Sequence, residues 1–86
     1  MLNKALTGNF IEARKMMYDL IGQYGFSGTE IVRQMQRELV KVPHLTDSQK
    51  AELTNTIGEY DYRLTQGANS DIQLSALLAQ FSKFGK

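Results

Sequence analysis

Apolar residues recur at steps of three and four almost from end to end of this chain. Phe10, Ala13, Met17, Leu20, Ile21 and Tyr24 fall on one face of a helix by that spacing. Ile31, Met35, Leu39 and Val42 make a second stripe. Leu53, Ile57, Tyr60 and Leu64 make a third, and Leu74, Leu77, Leu78 and Phe81 a fourth, the cleanest of the set. A short helical piece around Leu2 to Leu6 precedes them, ended by Gly8, and reads as the tail of a longer helix whose beginning is missing. No stretch alternates with period two long enough to make a strand. The pattern predicts an all-α bundle of about five helices with short connections, so that neighbours pack roughly antiparallel.

The residues between the stripes agree. Asn9 is expected to cap the second helix and Gly25 to end it in a left-handed conformation. Ser27 with Glu30 and Thr46 with Gln49 are capping-box pairs, in which each partner satisfies an amide of the other. Pro43 is expected to stop the third helix, because the residue before a proline is pushed from helical geometry. Asn69 or Ser70 caps the fifth, and Gly67 terminates the fourth. Gly58 lies inside the fourth helix, where it costs about 1 kcal/mol relative to alanine and leaves room for close approach of a neighbour.

Composition narrows the functions open to such a bundle. At 86 residues it is one small domain, residues 1–86. With 42% hydrophobic and 22% charged residues it is ordinary globular material. Net charge is +1; residues 1–43 contribute +2 and residues 44–86 contribute −1, so there is no basic stripe of the kind a dedicated nucleic-acid binder shows. Cysteine is absent, which removes disulfides, thiolate metal sites and cysteine nucleophiles together. No apolar run is long enough to span a membrane, and a cytoplasmic location is expected.

Chemistry has few footholds. Gly22-Gln23-Tyr24-Gly25 has the form of the nucleotide-clamping loop of KH domains, but that module needs a sheet; a helix C-cap explains the same residues. Gly25-Phe26-Ser27-Gly28 invites comparison with a helix-hairpin-helix turn, in which amides at a helix start grip phosphate. A freestanding DNA-binding module using that turn, with Lys15 and Arg33 in support, is the competing reading. His44 is the one histidine and has no partner set for a metal or a catalytic role. Glu59 and Arg63 are spaced for a helical ion pair. Tyr24 and Tyr60 belong to apolar stripes and are expected in the core; Tyr18 and Tyr62 are left to face a partner. No phosphate-cradling Gly-x-x-x-x-Gly-Lys-Ser/Thr loop is present.

Several strings go further than periodicity. Ala5-Leu6-Thr7-Gly8-Asn9-Phe10-Ile11-Glu12-Ala13-Arg14, Tyr24-Gly25-Phe26-Ser27-Gly28, Ile57-Gly58-Glu59-Tyr60-Asp61-Tyr62-Arg63-Leu64 and Gly67-Ala68-Asn69 leading to Ala76-Leu77-Leu78-Ala79-Gln80-Phe81 occur in that order over nearly the whole chain. Together they resemble the helical C-terminal collar domain of archaeal clamp-loader small subunits, the replication factor C small-subunit family. Gln66 and Ser75 depart from the glutamates usual there, which removes negative charge from both positions.

The resemblance implies an oligomerisation domain that is not an enzyme by itself. Its parent would be an AAA+ ATPase with nucleotide-binding and lid domains upstream, and ATP and magnesium would belong to those domains, leaving no cofactor for this chain. The expected partners are other clamp-loader small and large subunits, with the sliding clamp and primer-template DNA reached through the parent. A helical domain of another AAA+ ATPase is a further alternative. The fourth and fifth helices are expected to supply the subunit contact, through Gly58, Tyr62, Arg63, Ala68, Ile72, Ala76, Ala79 and Lys83.

Overall fold

The computed structural model describes residues 1–83. Five helices follow one another: α1 (Leu2–Leu6), α2 (Phe10–Tyr24), α3 (Gly28–Leu39), α4 (Asp47–Thr65) and α5 (Ser70–Ser82). No strand occurs among the described residues. The all-α bundle that the stripes predict is the fold.

The helices are not arranged as equals. α5 packs against all four others, whereas α2 and α4 lie on either side of it and share no substantial contact. Leu74, Leu77, Leu78 and Phe81 of α5 are each 1% exposed or less. Around them close Leu2, Ala5 and Leu6 of α1, Ala13 and Met17 of α2, Ile31, Val32, Met35 and Leu39 of α3, and Leu53, Ile57 and Tyr60 of α4. Val42 and Leu45 of the α3–α4 connection complete this core, and among the described residues none that is charged or polar is buried with it. Burying a large aliphatic or aromatic side chain contributes about 1.5–3 kcal/mol each, so the shared neighbour of the four other helices is also the main source of cohesion.

Local chemistry sets the helix ends. The Ser27 hydroxyl accepts from the Glu30 amide at 3.3 Å while the Glu30 carboxylate accepts from the Ser27 amide at 3.1 Å. Thr46 and Gln49 repeat that exchange at 3.1 and 2.9 Å. The Asn69 side chain accepts from the Ile72 amide at 3.0 Å and so caps α5. Gly25 closes α2 at φ +67°, where the Gly25 amide donates to Ile21 and the Phe26 amide to Leu20, the paired bonds of a left-handed helix stop. Gly67, at φ +89°, turns the chain out of α4.

Three expectations about elements need correction. Asn9 precedes α2 but makes no side-chain capping bond, because its φ and ψ of −92° and 65° differ from the extended backbone that Ser27 and Thr46 adopt. α3 ends at Leu39, ahead of Pro43: the amides of Lys41 and Val42 bond back only three residues, to Glu38 and Leu39, and this tightened turn is what carries Val42 into the core. Tyr24 lies on the core stripe of α2 yet is 69% exposed. Arg14 meets Ser75 and Tyr18 meets Asp71, so α2 runs antiparallel to α5 and its last turn overshoots the first residue of α5. Tyr24 has the right angular position with nothing opposite it.

Candidate functional site

The eight residues expected at a subunit contact occupy the outward side of α4, the α4–α5 turn and one edge of α5. On α4 the buried stripe of Leu53, Ile57 and Tyr60 leaves Ala51, Asn55, Gly58 and Tyr62 on the opposite side, all exposed. A methyl group added at Gly58 would meet nothing within 4 Å. The glycine therefore relieves no crowding inside the chain, and its helix cost has no intramolecular return. Thr54, Asn55, Gly58, Glu59, Tyr62 and Arg63 border a shallow depression there. Tyr62 is 64% exposed.

Arg63 does not pair with Glu59: the described ion pairs are Lys15 with Glu12 and the Met1 amino group with Glu38. Its guanidinium instead lies 4.7 Å from the centre of the Tyr60 ring. Stacking holds the arginine plane near the helix surface and leaves its donors unspent, a use of the planar fork that lysine could not copy.

Along α5, Ile72 is 64% exposed and Lys83 is exposed, while Ala76 and Ala79 between them are half-buried. This edge is narrower than the sequence suggests, because α5 is flanked by helices on both sides. Ala68 is half-buried in the turn. Thus α4 presents an open crest and α5 a short strip with an isoleucine at one end and a lysine at the other.

A polar seam between α2 and α5 was not legible in the sequence. Arg14 donates to the Ser75 hydroxyl at 3.1 Å and to the Tyr18 hydroxyl at 2.8 Å, and its guanidinium lies 4.6 Å from the centre of the Tyr18 ring. The Tyr18 hydroxyl donates in turn to Asp71. Tyr18 is therefore engaged within the chain and half-buried, not free for a partner as expected. The four residues come from helices more than fifty positions apart, and no local spacing announces them.

The alternative nucleic-acid site fares poorly on geometry. In the Gly25–Gly28 turn, the amides at the start of α3 that would grip a phosphate include that of Glu30, taken by Ser27, and that of Ser27, taken by Glu30. The bond from the Ser27 amide, chiefly, holds the Glu30 carboxyl below the usual carboxylate range. A carboxylate kept ionised at that helix start repels the anion the motif would bind. His44 is exposed in the α3–α4 connection, and among the described residues no group of three or more histidine, aspartate or glutamate side chains is placed to hold a metal. No described helix is long and apolar enough to cross a membrane.

These features define a class first: a small helical packing domain whose distinctive residues lie on outward helix faces. The comparisons place it more closely. The sequence model of the replication factor C C-terminal domain matches residues 1–80. The replication factor C small subunit of Archaeoglobus fulgidus is 46% identical over 86 residues, covering all of this chain and 27% of that protein. That of Thermococcus kodakarensis is 44% identical over 86 residues, again all of this chain but 10% of that protein. Replication factor C small subunit 1 of Pyrobaculum islandicum is 42% identical over the same length and 26% covered. No solved structure matches. The chain belongs to the replication factor C C-terminal domain family, and it spans about a quarter or less of the length of these relatives.

Proposed function

We propose that this domain is the collar of a clamp-loader small subunit, packing against the same domain of neighbouring subunits to hold an assembly together. The observation that carries this reading is the family match across residues 1–80, with archaeal replication factor C small subunits 42–46% identical over the whole chain. The open crest of α4 supports it: an exposed tyrosine, a stacked arginine and a glycine with no crowding to relieve suit a surface that another backbone approaches closely. In this reading Gly58, Tyr62 and Arg63 of α4, Ala68 of the turn, and Ile72, Ala76, Ala79 and Lys83 of α5 form the contact. The chain itself carries out no catalytic step. ATP and magnesium act in the parent protein's upstream ATPase and lid domains, and the assembled subunits load a sliding clamp onto primer-template DNA in the cytoplasm. One such domain supplies less than a standard interface of about 800 Å² per partner, so the isolated chain is expected to be monomeric.

The test places Arg63→Glu and Ala76→Glu separately in the full-length parent and reads subunit assembly by light scattering, with circular dichroism as the check on folding. Loss of assembly with the fold intact is the expected result. Unchanged assembly in both variants removes α4 and α5 from the contact.

A further inference from the structure

Gly58 opens onto two depressions. The one on the outward side of α4 has a volume of about 600 Å³, and a second, of about 330 Å³, lies between α4 and α3. Thr54 and Gly58, one helical turn apart, border both. The two depressions therefore form a single trough across α4, lowest at the glycine, where an added methyl would meet nothing within 4 Å. The Gln36 side-chain amide donates to the Thr54 hydroxyl at 3.3 Å and ties α3 to α4 beside it, so the trough is preformed. Arg33 and Asp61 border one end, Glu59 and Arg63 the other. These charges balance, and the trough selects its occupant by shape.

When more than two like domains are joined by one kind of contact, each must offer two different patches, one to each neighbour. The residues assigned to the contact divide in that way. The trough at Gly58 is hollow. Ile72, in the first turn of α5, stands out into solvent and borders neither depression, so it does not fill the trough of its own chain. We infer that the contact runs head to tail: Ile72 of one domain seats at Gly58 of the next, with the start of α5 lying across the neighbour's α4. Each domain then gives an isoleucine on one side and receives one on the other. A helix bare of a side chain at the crossing admits its partner nearer than the usual separation of about 8–10 Å between axes. The inference rests on the collar reading and goes beyond it by naming which face meets which.

The test uses two variants of the full-length parent. Gly58→Leu fills the trough and keeps the isoleucine; Ile72→Glu spoils the isoleucine and keeps the trough. Both positions are exposed, and circular dichroism checks that both variants fold. Each alone is expected to assemble at least about tenfold more weakly than the unaltered protein. Mixed, they are expected to form a discrete pair by light scattering, because Ile72 of the first still fits Gly58 of the second. Loss of assembly in each variant with no pair on mixing overturns the head-to-tail pairing while leaving both helices in the contact. Unchanged assembly of either variant also overturns it. Unchanged assembly of both, together with unchanged assembly of Arg63→Glu and Ala76→Glu, takes the α4 and α5 contact down with it.

Discussion

α4 and α5 are neighbours held in place by different means. α4 has nineteen residues but buries only Leu53, Ile57 and Tyr60, and it relies on a capping box at one end and a glycine turn at the other. α5 has thirteen residues, buries four large side chains and touches every other helix. A helix fixed mainly by packing tolerates little change on any side. One fixed along a narrow stripe and at its ends keeps its outer face open to selection for something else. That is why the candidate contact residues on α4 are exposed, while those on α5 are squeezed into a strip.

The contrast breaks most visibly at Phe81. Phe81→Ala removes a fully buried ring that closes the centre of the bundle, and should cost about 3–5 kcal/mol. Chemical denaturation should show it as a large fall in midpoint across the whole molecule. Arg14→Ala opens the seam by which α2 grips α5, and with the part-buried Tyr18 and Ser75 hydroxyls each losing a donor the expected loss is about 1–2 kcal/mol; a Tyr18→Phe, Arg14→Ala double cycle measures how far the two act as one unit. Thr46→Ala removes the α4 cap and should cost about 1 kcal/mol, with hydrogen exchange accelerated in the first turn of α4 and little changed in α5.

Gly58→Ala sharpens the comparison by reversing sign. The added methyl meets open space, so the isolated chain should gain up to about 1 kcal/mol of stability from helix propensity. In the full-length parent the same methyl stands where a neighbour would approach, and assembly should weaken. Gain in both settings would clear the α4 crest of any role in assembly.

The smallest effect is expected at Glu30. Its carboxyl is held below its ordinary range by the Ser27 amide, then by the Ser27 hydroxyl. A carboxylate whose folded pKa is lowered stabilises the fold fully above the unfolded value, and that share is lost as pH falls through the folded one. Glu30→Gln should lower the neutral plateau of the stability curve slightly, leave the acid end where it is, and so flatten the limb between them.

Much of this architecture was written in the stripes. Leu74, Leu77, Leu78 and Phe81 make a helix whose buried side is unmistakable, and the Ser27–Glu30 and Thr46–Gln49 pairs announce their own caps. Tyr24 shows the limit of periodicity: the angle around a helix is legible locally, but how far the helix runs past its partner depends on the other helix. The Arg14–Tyr18–Asp71–Ser75 seam is illegible for the same reason, since it exists only once α2 and α5 are antiparallel and in register. Glu59 and Arg63 had the right spacing and lost to a competitor one turn away, the Tyr60 ring. The outward positions of α4 are the least readable of all, because nothing within the chain constrains them; a bare glycine in a long helix was the one available signal.

The order of the helices along the chain carries a consequence for synthesis. The common neighbour, α5, is the fifth of the five to leave the ribosome, at roughly 5–20 residues per second. Until Ser70–Ser82 has emerged, α1 can close on α2 and α3 on α4, but the apolar faces these pairs turn to α5 stay open. The nascent bundle therefore keeps apolar surface open for several seconds, which makes the interval before α5 appears the period when a chaperone is of most use to it.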